Sequence, residues 1–332
     1  MTNLLLIGAG NISQSIHLPI LTAMSGVSVV GIVDRQIAKA KILAEKYNVP
    51  NAFRSATEAI KLPNIDGVII TTSTDAHADN AIECVSAGLN VLIERPAARN
   101  LAETKSISDA AIGNDVNVMI GMNHRFRPDI ALMKNAIIRG EIGQIFYAKA
   151  GWVKQRSNDS RWSSVAEKSG GGVLMDLGVS VLDMILHVFD FGRVRSVVAN
   201  TYNHETKSVE DIVIGMLQFE NGSVATLETS WSLMRAEDLF YCNVFGKKGS
   251  AYINPFKLVK RSGSEFTTIQ PPQNKSQLAV YRKSYEAELK HFVSAIRGIL
   301  PMTSTIGEAI ELMKVVEAMY ASAQLEREIV IP

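Results

Sequence analysis

The sequence contains little cysteine, no excess of charge of either sign and no long apolar run. Its two cysteines, Cys84 and Cys242, are too few for a disulfide framework or a four-ligand metal site, so no metal is predicted. Lys plus Arg number 34 and Asp plus Glu 33, which argues against nucleic-acid binding through a basic surface. No apolar stretch approaches the roughly 20 residues that span a bilayer, so no membrane partner is expected.

The amino terminus also lacks the pattern of a signal peptide. Met1 is followed by no positively charged segment, and the first apolar run stops at Gly8. Hydrophobic residues make up 47% of the chain and charged residues 20%, proportions usual for a soluble globular protein. The length of 332 residues is about twice that of a typical domain. We therefore predict a cytoplasmic protein of two domains.

The first 122 residues alternate between short apolar runs and segments with helical spacing. Such runs are typical of a parallel sheet covered on both faces, and their alternation with helices predicts an α/β domain with a doubly wound sheet. The predicted strands are 4–7, 27–33, 67–71, 90–93 and 117–120, and the predicted helices are 36–47, 76–87 and 101–111.

After Pro128 the pattern changes and strands dominate. Asn221 and Gly222, between two β-rich runs, are a hairpin signal. The predicted strands are 144–153, 194–202, 211–219, 223–230, 240–245, 251–253 and 328–331, and the predicted helices are 129–139, 173–189, 280–298 and 305–323. Residues 123–332 are therefore predicted to form an α+β domain with a largely antiparallel sheet.

A pair of glycines marks the turn between the first strand and the first helix. Gly8 and Gly10 permit a tight turn and let the backbone approach a pyrophosphate. The N–H groups at the helix start, including those of Asn11 and Ile12, would face its negative charge. Ser13 stands where G-x-G-x-x-G has its third glycine, and it is small enough for the helix to pack on the strand. The motif is weak alone, so its context matters.

That context is Asp34, which ends the next strand 21 residues beyond Ser13. A carboxylate there accepts hydrogen bonds from the hydroxyls of an adenosine ribose, although a turn residue at a strand end is the alternative. Asp34 would repel a 2′-phosphate, whereas Arg35 could stack on adenine or pair with that phosphate. NAD is the predicted cofactor, and Arg35 leaves NADP open.

Further motifs occupy four segments: 71–77 (TTSTDAH), 87–96 (AGLNVLIERP), 121–128 (GMNHRFRP) and 170–183 (GGGVLMDLGVSVLD). Three of them are similar to T-P-N-x-x-H, A-G-K-H-V-x-x-E-K-P and G-G-G-x-L-x-D-x-G-x-H-x-x-D, and 121–128 is similar to a strand-to-linker crossing. In this order they resemble the glucose–fructose oxidoreductase / inositol dehydrogenase (Gfo/Idh/MocA) family of nicotinamide-dependent oxidoreductases. The resemblance runs over essentially the whole chain.

The resemblance implies a Rossmann domain that binds NAD(P) and a C-terminal α+β domain whose open sheet forms a homodimer or homotetramer. A sugar or polyol substrate would lie in the cleft between the domains. Thr71 and Ser73 would line the cofactor through their backbone. Glu94 would lie near the nicotinamide ribose and Asn123 near the nicotinamide, whereas Asp176 would hold a substrate hydroxyl.

The two residues on which the family's acid–base chemistry depends are both changed. Arg95 replaces the lysine of E-K-P, and Ser180 replaces the histidine four residues after Asp176. Arginine does not lose its proton in a protein, and an unassisted serine is too weak a base. Arg95 can still orient a carbonyl or carboxylate and stabilise developing negative charge. Another group or a water would then accept the proton.

Other side chains are candidates for roles near the ligands. His124, at the domain crossing, either faces the substrate or points elsewhere. Tyr281 opens a helix that by resemblance borders the cleft, or else packs within that helix's apolar face. His77 would orient the cofactor loop or cap its helix. Four polar residues of one predicted helix share a face: Asp176, Ser180, Asp183 and His187.

A polar, positively charged segment follows the strand at 144–153. Arg156, Arg161 and Trp162 suit an anionic or hydroxylated ligand, because guanidinium groups bind carboxylates and an indole stacks on sugar faces. A solvated loop is the alternative.

Two classes of function remain: a dehydrogenase or reductase of a sugar, polyol or sugar acid, and an NAD-binding regulatory protein that has lost turnover. The changes at Arg95 and Ser180 are the reason to consider the regulatory protein, because they remove the usual acid–base residues.

Overall fold

The computed structural model describes residues 1–154, 164–272 and 276–332. The chain divides into two compact units. Unit 1 contains Met1–Met122 and Tyr285–Ile310, and unit 2 contains Asn123–Ser284 and Glu311–Pro332. Each unit has its own sheet and its own buried apolar core.

Unit 1 is built on a six-stranded sheet. Its strands are β1 (Thr2–Ile7), β2 (Val27–Val33), β3 (Ala52–Phe53), β4 (Gly67–Ile70), β5 (Asn90–Glu94) and β6 (Val118–Gly121). They lie in the order β3-β2-β1-β4-β5-β6, and neighbouring strands are parallel. The predicted doubly wound parallel sheet is confirmed. Chain order reverses between β1 and β4, where such folds bind dinucleotides.

The helices of unit 1 begin and end at residues that stabilise their termini. The Asn100 side chain accepts a 2.9 Å hydrogen bond from the Glu103 N–H at the start of α5. Asn48 ends α2 with a left-handed φ of 54°. These helices are α1 (Leu18–Leu21), α2 (Ile37–Tyr47), α3 (Ala56–Ala59), α4 (His77–Ser86) and α5 (Leu101–Gly113), and a π-helical segment, Ser13–His17, precedes α1.

The segment Tyr285–Ile310 returns to unit 1. Its Phe292 side chain is fully buried. Arg297 donates to the Thr2 hydroxyl and to the Gly26 carbonyl, each at 2.7 Å. The Ser304 carbonyl accepts from an N–H of β6 at 2.7 Å. A division of the chain into 1–122 and 123–332 therefore leaves this segment out of the unit in which it packs.

Unit 2 is built on a nine-stranded sheet. Its strands are β7 (Ile145–Val153), β8 (Val194–Tyr202), β9 (Ile212–Phe219), β10 (Val224–Ser230), β11 (Leu239–Gly246), β12 (Gly249–Tyr252), β13 (Lys257–Ser262), β14 (Glu265–Ile269) and β15 (Ile329–Val330). The order is β14-β13-β12-β11-β7-β10-β9-β8-β15. Strands β7 and β10 are parallel, and the other described pairs are antiparallel. The predicted largely antiparallel sheet is confirmed.

One face of this sheet packs in the core, and the other is open. In β9, Val213 and Leu217 are buried, whereas Ile214 and Met216 are exposed, the alternation expected of a half-covered strand. The helices that contribute to unit 2 are α6 (Pro128–Ile138), α7 (Ala166–Ser169), α8 (Val179–Val188), the beginning of α9 (Gln277–Ile296) and most of α10 (Ile306–Leu325). A second π-helical segment, Leu174–Gly178, leads into α8.

Residues 166–188 combine helical length with an apolar composition. Within the described part of the chain, this helical stretch alone is long and apolar enough to cross a bilayer by length and composition. However, 89% of its most apolar window is buried inside the protein, as in a core helix. Glu167, Lys168, Asp176 and Asp183 divide this segment into shorter apolar runs, as the sequence shows.

Candidate functional site

The loop after β1 is held by close packing and hydrogen bonds around Gly8. Gly8 has a φ of +111°, and a Cβ there would lie 2.7 Å from the carbonyl carbon and oxygen of Thr71. The Ser13 hydroxyl donates to the Gly8 carbonyl at 2.6 Å and lies 2.7 Å from Thr71 Oγ1. Ser13 therefore joins the ends of β1 and β4 to the first helix, which a third glycine could not do.

Gly10, in contrast, is not required by its protein surroundings. It is exposed, and a Cβ there would find its nearest protein atom, the Thr71 carbonyl oxygen, at 4.0 Å. In the described residues, no group accepts a hydrogen bond from the N–H of Gly10, Asn11 or Ile12. This open helix start fits an approaching pyrophosphate, because backbone N–H groups and the helix dipole both favour an anion.

Asp34 lies beside the same loop. Its Oδ2 accepts from the Ala9 N–H at 2.9 Å and its Oδ1 from the Gln36 N–H at 2.8 Å. Each carboxylate oxygen keeps a further lone pair, so two ribose hydroxyls can still be bound. The structure therefore brings Asp34 and the glycine loop together. Arg35 is exposed, which leaves its guanidinium accessible to an adenine or a phosphate.

His77 connects the ends of two neighbouring strands. Its Nδ1 lies 2.9 Å from the Pro96 carbonyl oxygen, after β5, and its Nε2 lies 3.1 Å from the Thr72 carbonyl oxygen, after β4. Burial lowers the pKa of His77 below 6.5, against the opposing effect of the two carbonyls. Nearby, the Ser73 hydroxyl donates to the Asp75 carboxylate. His77 thus holds the loop of Thr71–Ser73 in place.

Glu94 ends β5, and its carboxylate is paired with His17. Glu94 Oε1 lies 2.7 Å from His17 Nε2, and its Oε2 accepts from the Arg95 N–H at 3.3 Å. His17 is fully buried, and its ring packs edge-on to Tyr285 with centroids 5.7 Å apart. Sequence reasoning missed His17, because its partner Glu94 lies 77 residues further along the chain. Arg95 is half-buried at the strand end.

In unit 2, Asp176 lies in the π-helical segment before α8. Its carboxylate is half-buried, and Oδ2 accepts from the Trp231 indole Nε1–H at 3.1 Å. Trp231 directly follows β10 and was not predicted from the sequence, where nothing links it to Asp176. The indole N–H therefore holds one oxygen of the Asp176 carboxylate in a fixed orientation.

The other residues predicted on the Asp176 helix separate into different environments. The π-helical segment ends at Gly178, so its i→i+5 bonding changes the relation of Asp176 to Ser180, whereas Ser180, Asp183 and His187 keep the α-helical spacing of α8. Asp183 is buried and pairs with the Arg125 guanidinium, whose Nε lies 2.8 Å from Oδ2. Burial and then Arg125 and Lys134 lower the pKa of His187 to about 3. Ser180 is buried, and its hydroxyl has no partner among the described residues.

Asn123 and Tyr281 are linked through Ser284. Asn123 is buried, and its Nδ2 donates to Ser284 Oγ at 2.9 Å, which donates to the Tyr281 carbonyl at 2.6 Å. Asn123 Oδ1 is buried without a hydrogen-bond partner among the described residues. An unsatisfied buried acceptor of this kind is costly in an ordinary core, so Asn123 fits a residue that awaits a donor from a ligand.

His124 has the surroundings of a core side chain. Its ring centroid lies 4.9 Å from that of Trp152 and 4.6 Å from that of Phe240. Arg156, Arg161 and Trp162 lie outside the described residues. Within the described ranges, no group of three or more His, Cys, Asp or Glu side chains could hold a metal ion.

The sheet order, the open helix start and Asp34 define a dinucleotide-binding domain, and comparison with known proteins gives its family. Residues 2–122 match the family model described as "Oxidoreductase family, NAD-binding Rossmann fold". Residues 134–331 match "Oxidoreductase family, C-terminal alpha/beta domain". The chain belongs to the Gfo/Idh/MocA oxidoreductase family, and its N-terminal domain is an NAD-binding Rossmann fold.

Curated relatives align over nearly the whole chain. D-glucoside 3-dehydrogenase of Escherichia coli is 24% identical, covering 96% of this chain and 94% of its own length. The scyllo-inositol 2-dehydrogenase (NAD(+)) of Bacillus subtilis is 25% identical, covering 92% and 90%. The 1,5-anhydro-D-fructose reductase of Ensifer adhaerens is 27% identical, covering 88% and 87%.

A solved structure of the same fold is levoglucosan dehydrogenase in complex with NADH and levoglucosan. It superposes with a TM-score of 0.90 at 22% identity and covers 100% of this chain and 99% of its own. GenD2 from gentamicin A biosynthesis, in complex with NAD, gives a TM-score of 0.86 at 21% identity, covering 100% and 96%. At these identities the likeness shows the fold.

Proposed function

We propose that this protein transfers a hydride between NAD and a secondary alcohol of a sugar, polyol or sugar acid. The observation that carries the proposal is the Asp176 carboxylate, half-buried and oriented by the Trp231 indole at 3.1 Å. A half-buried carboxylate held in a fixed orientation is suited to binding hydroxyl groups. The relatives named above support this class, because their names describe enzymes of glucosides, inositols and related sugars.

NAD, when bound, supplies the hydride acceptor. Its pyrophosphate would be held at the open helix start of Gly8, Gly10, Asn11 and Ile12, and its adenosine ribose by Asp34. The remaining proposed contacts to the cofactor come from Thr71, Ser73, His77, Glu94 and Asn123. The negative charge of Asp34 would disfavour a 2′-phosphate, so NAD is proposed over NADP, with Arg35 as the residue that would have to overcome this repulsion.

The proton of the substrate hydroxyl needs an acceptor on the protein. We assign it to the Asp176 carboxylate, because neither Arg95 nor Ser180 can act as a base. Asp176 would take the O–H proton, and NAD, when bound, would supply the acceptor for the C–H hydride, so the alcohol would lose two electrons and two hydrogens. Arg95 would stabilise negative charge that develops on the oxygen, and the buried Ser180 hydroxyl would bind a second substrate hydroxyl.

His124 receives no proton-transfer step in this proposal. Its ring is packed against Trp152 and Phe240, and this arrangement supports a role in shaping the wall around the substrate. Tyr281 is proposed as a substrate contact. Arg156, Arg161 and Trp162 are proposed to bind an acidic or hydroxylated group, on the sequence argument alone.

The decisive experiment measures cofactor binding and turnover separately. The purified protein is examined for bound nicotinamide by absorbance and mass spectrometry, and NADH formation is then followed with levoglucosan, scyllo-inositol, glucosides and sugar acids. Asp176→Asn should lower kcat by roughly 10²–10⁴-fold, the usual contribution of general-base catalysis, while NAD still binds.

A variant with the family's usual lysine and histidine provides the result that could contradict the dehydrogenase proposal. Arg95→Lys combined with Ser180→His reintroduces a lysine and a histidine at the two changed positions. If NAD binds but neither the natural protein nor this double variant reduces it with any substrate, the dehydrogenase proposal fails. The regulatory, NAD-binding alternative would then stand in its place.

We also propose a homodimer or homotetramer formed through the open face of the nine-stranded sheet. Ile214 and Met216 are 49% and 43% exposed on neighbouring outward positions of β9. Light scattering of Met216→Glu should show a smaller assembly than the natural protein if this face is the interface. Cytoplasmic localisation, likewise, is proposed from the sequence.

A further inference from the structure

The helix that carries Asp176 begins against a buried carboxylate. Gly172 N–H lies 3.0 Å from both Oε1 and Oε2 of Glu210, and Leu174 N–H donates to Oε1 at 3.0 Å. The Val173 N–H donates to the Glu210 backbone carbonyl at 2.9 Å. Glu210 therefore binds three consecutive N–H groups at this helix start, where the helix dipole also favours a negative charge.

The glycines before this helix are explained by the same contact. A Cβ on Gly172 would lie 2.0 Å from the Glu210 carbonyl oxygen, and a Cβ on Gly171 would lie 2.0 Å from the Tyr320 hydroxyl oxygen. That hydroxyl donates to Glu210 Oε1 at 2.9 Å. The glycines let Glu210 and Tyr320 approach the helix start closely.

A second set of hydrogen bonds connects Asp211, the residue after Glu210, to Asp176 through Trp231. The Asp211 carbonyl accepts from the Trp231 N–H at 2.9 Å, and Asp211 Oδ1 accepts from the Ser232 hydroxyl at 3.1 Å. The Trp231 indole donates to Asp176 Oδ2 at 3.1 Å. The dipeptide Glu210–Asp211 thus holds both the helix that carries Asp176 and the tryptophan that orients it.

The charge of Glu210 makes this a costly way to stabilise a helix. The Glu210 side chain is buried, and burial raises its pKa above 4.5 despite the hydrogen bonds from Leu174, Tyr320 and Gly172. Its described hydrogen-bond donors are the Gly172 and Leu174 N–H groups and the Tyr320 hydroxyl, all of them uncharged. A neutral Ser, Thr or Asn is an effective helix cap without the cost of a buried charge. A buried carboxylate held by uncharged donors at this place fits a requirement for a fixed orientation.

We propose that Glu210 is a positioning residue for Asp176. It fixes the helix start through Gly172 and Leu174, while Asp211 fixes Trp231, so that the Asp176 carboxylate is presented to the substrate in one orientation. This inference rests on the proposed function only for the consequence in catalysis. The orientation of Asp176 can be measured without a substrate.

The test uses the full-length protein labelled with ¹⁵N-tryptophan, which contains three indole groups. The Trp231 indole N–H signal is assigned with Trp231→Phe and calibrated with Asp176→Asn, which alters its acceptor. Glu210→Gln should move this signal and leave that of Trp152 in place. Tyr320→Phe, which removes one donor to Glu210, should move it less. Glu141→Gln, at a surface ion pair with Lys260, is the matched control and should move neither.

Turnover supplies the second readout. With a substrate that the natural protein oxidises, Glu210→Gln should raise KM or lower kcat by about tenfold, equivalent to about 1.4 kcal/mol, while the Kd for NAD changes by less than about twofold. If Glu210→Gln does not fold, the same two measurements on Tyr320→Phe test the inference. A Trp231 signal that responds to Asp176→Asn but not to the variants at Glu210 or Tyr320 overturns the inference. Unchanged turnover in Asp176→Asn would instead overturn the proposed function.

Discussion

The two units each contain a helix that begins after glycines and passes through a π-helical turn, and they use these helix starts in opposite ways. In unit 1 the N–H groups of Gly10, Asn11 and Ile12 have no acceptor within the described residues. In unit 2 the corresponding groups are occupied by the Glu210 side chain and backbone. The first start is open to an external anion, and the second is filled by an anion of the protein itself.

This difference shows how similar local sequences acquire different functions. A glycine-rich helix start binds a negative charge wherever its N–H groups are exposed. An internal carboxylate removes that capacity and makes the helix a rigid support for its side chains. In the proposed function, unit 1 would therefore contribute backbone groups to the dinucleotide, and unit 2 would contribute the side chain of Asp176 to the substrate.

The largest expected effect comes from Gly8→Ala. The new Cβ would meet the Thr71 backbone at 2.7 Å, at a φ of +111°, so strain of about 2 kcal/mol or more should destabilise unit 1. Thermal unfolding measures the loss. Gly10→Ala is the matched control, because its Cβ has no protein atom nearer than 4.0 Å. It should leave the melting temperature unchanged and weaken NAD binding. Weakened stability in both variants would contradict an open helix start.

Asp34→Ala should weaken NAD binding by roughly 10–100-fold, the cost of losing hydrogen bonds to a charged group. The variant also removes the acceptor of the Ala9 and Gln36 N–H groups, so Asp34→Asn, which keeps one acceptor oxygen, should have a smaller effect. Calorimetric titration with NAD and with NADP distinguishes the two. A gain in relative affinity for NADP would support the repulsion assigned to Asp34, and unchanged NAD affinity would remove Asp34 from the site.

The filled helix start predicts a pH dependence. The pKa of Glu210 is raised above 4.5 in the folded protein, so the native state holds this proton more tightly than the unfolded state. The protonated Glu210 carboxyl therefore stabilises the folded protein below pH 4.5, and this stabilisation is lost as the pH rises through the pKa of Glu210 in the folded state. Glu210→Gln cannot ionise, so the difference in melting temperature between it and the natural protein should change across that window. Parallel curves for the two proteins would contradict the raised pKa.

The smallest expected effect concerns two histidines, the buried His77 of unit 1 and the half-buried His187 of unit 2. The pKa of His187 in unit 2 is lowered to about 3 by burial, and that of His77 in unit 1 is also lowered by burial. Each therefore contributes stability above pH 6.5 that is lost as the pH falls toward its folded pKa. His187→Gln should reduce acid destabilisation between about pH 6 and pH 3 in circular dichroism titrations. An unaltered acid midpoint would show that His187 does not contribute.

Much of the fold followed from periodicity, and its exceptions have physical reasons. The strands β4, β5 and β6 are buried on both faces and were predicted within about one residue, as expected for continuous apolar runs. The two-residue strand β3 and the strands β13 and β14 were not predicted. The first is too short to show a pattern, and β14 is exposed along its whole length, so no buried face marks it.

The site residues likewise divide into those that a local sequence pattern predicts and those that are positioned by partners distant along the chain. The glycine loop and Asp34 lie together because both follow neighbouring parallel strands, a relation that chain order implies. His17, Glu210 and Trp231 were missed because their partners lie 77, 38 and 55 residues away along the chain. A spacing that large leaves no periodic signal.

By itself, the sequence determined the parallel sheet and the dinucleotide loop, because each is a local pattern of a few residues. The tertiary structure decided that Tyr285–Ile310 belongs to unit 1, that one helix start is open and the other filled, and that Asp176 is oriented by Trp231. Those features depend on which distant carboxylate, indole or carbonyl reaches a given backbone group. Only folding brings such partners within hydrogen-bond distance.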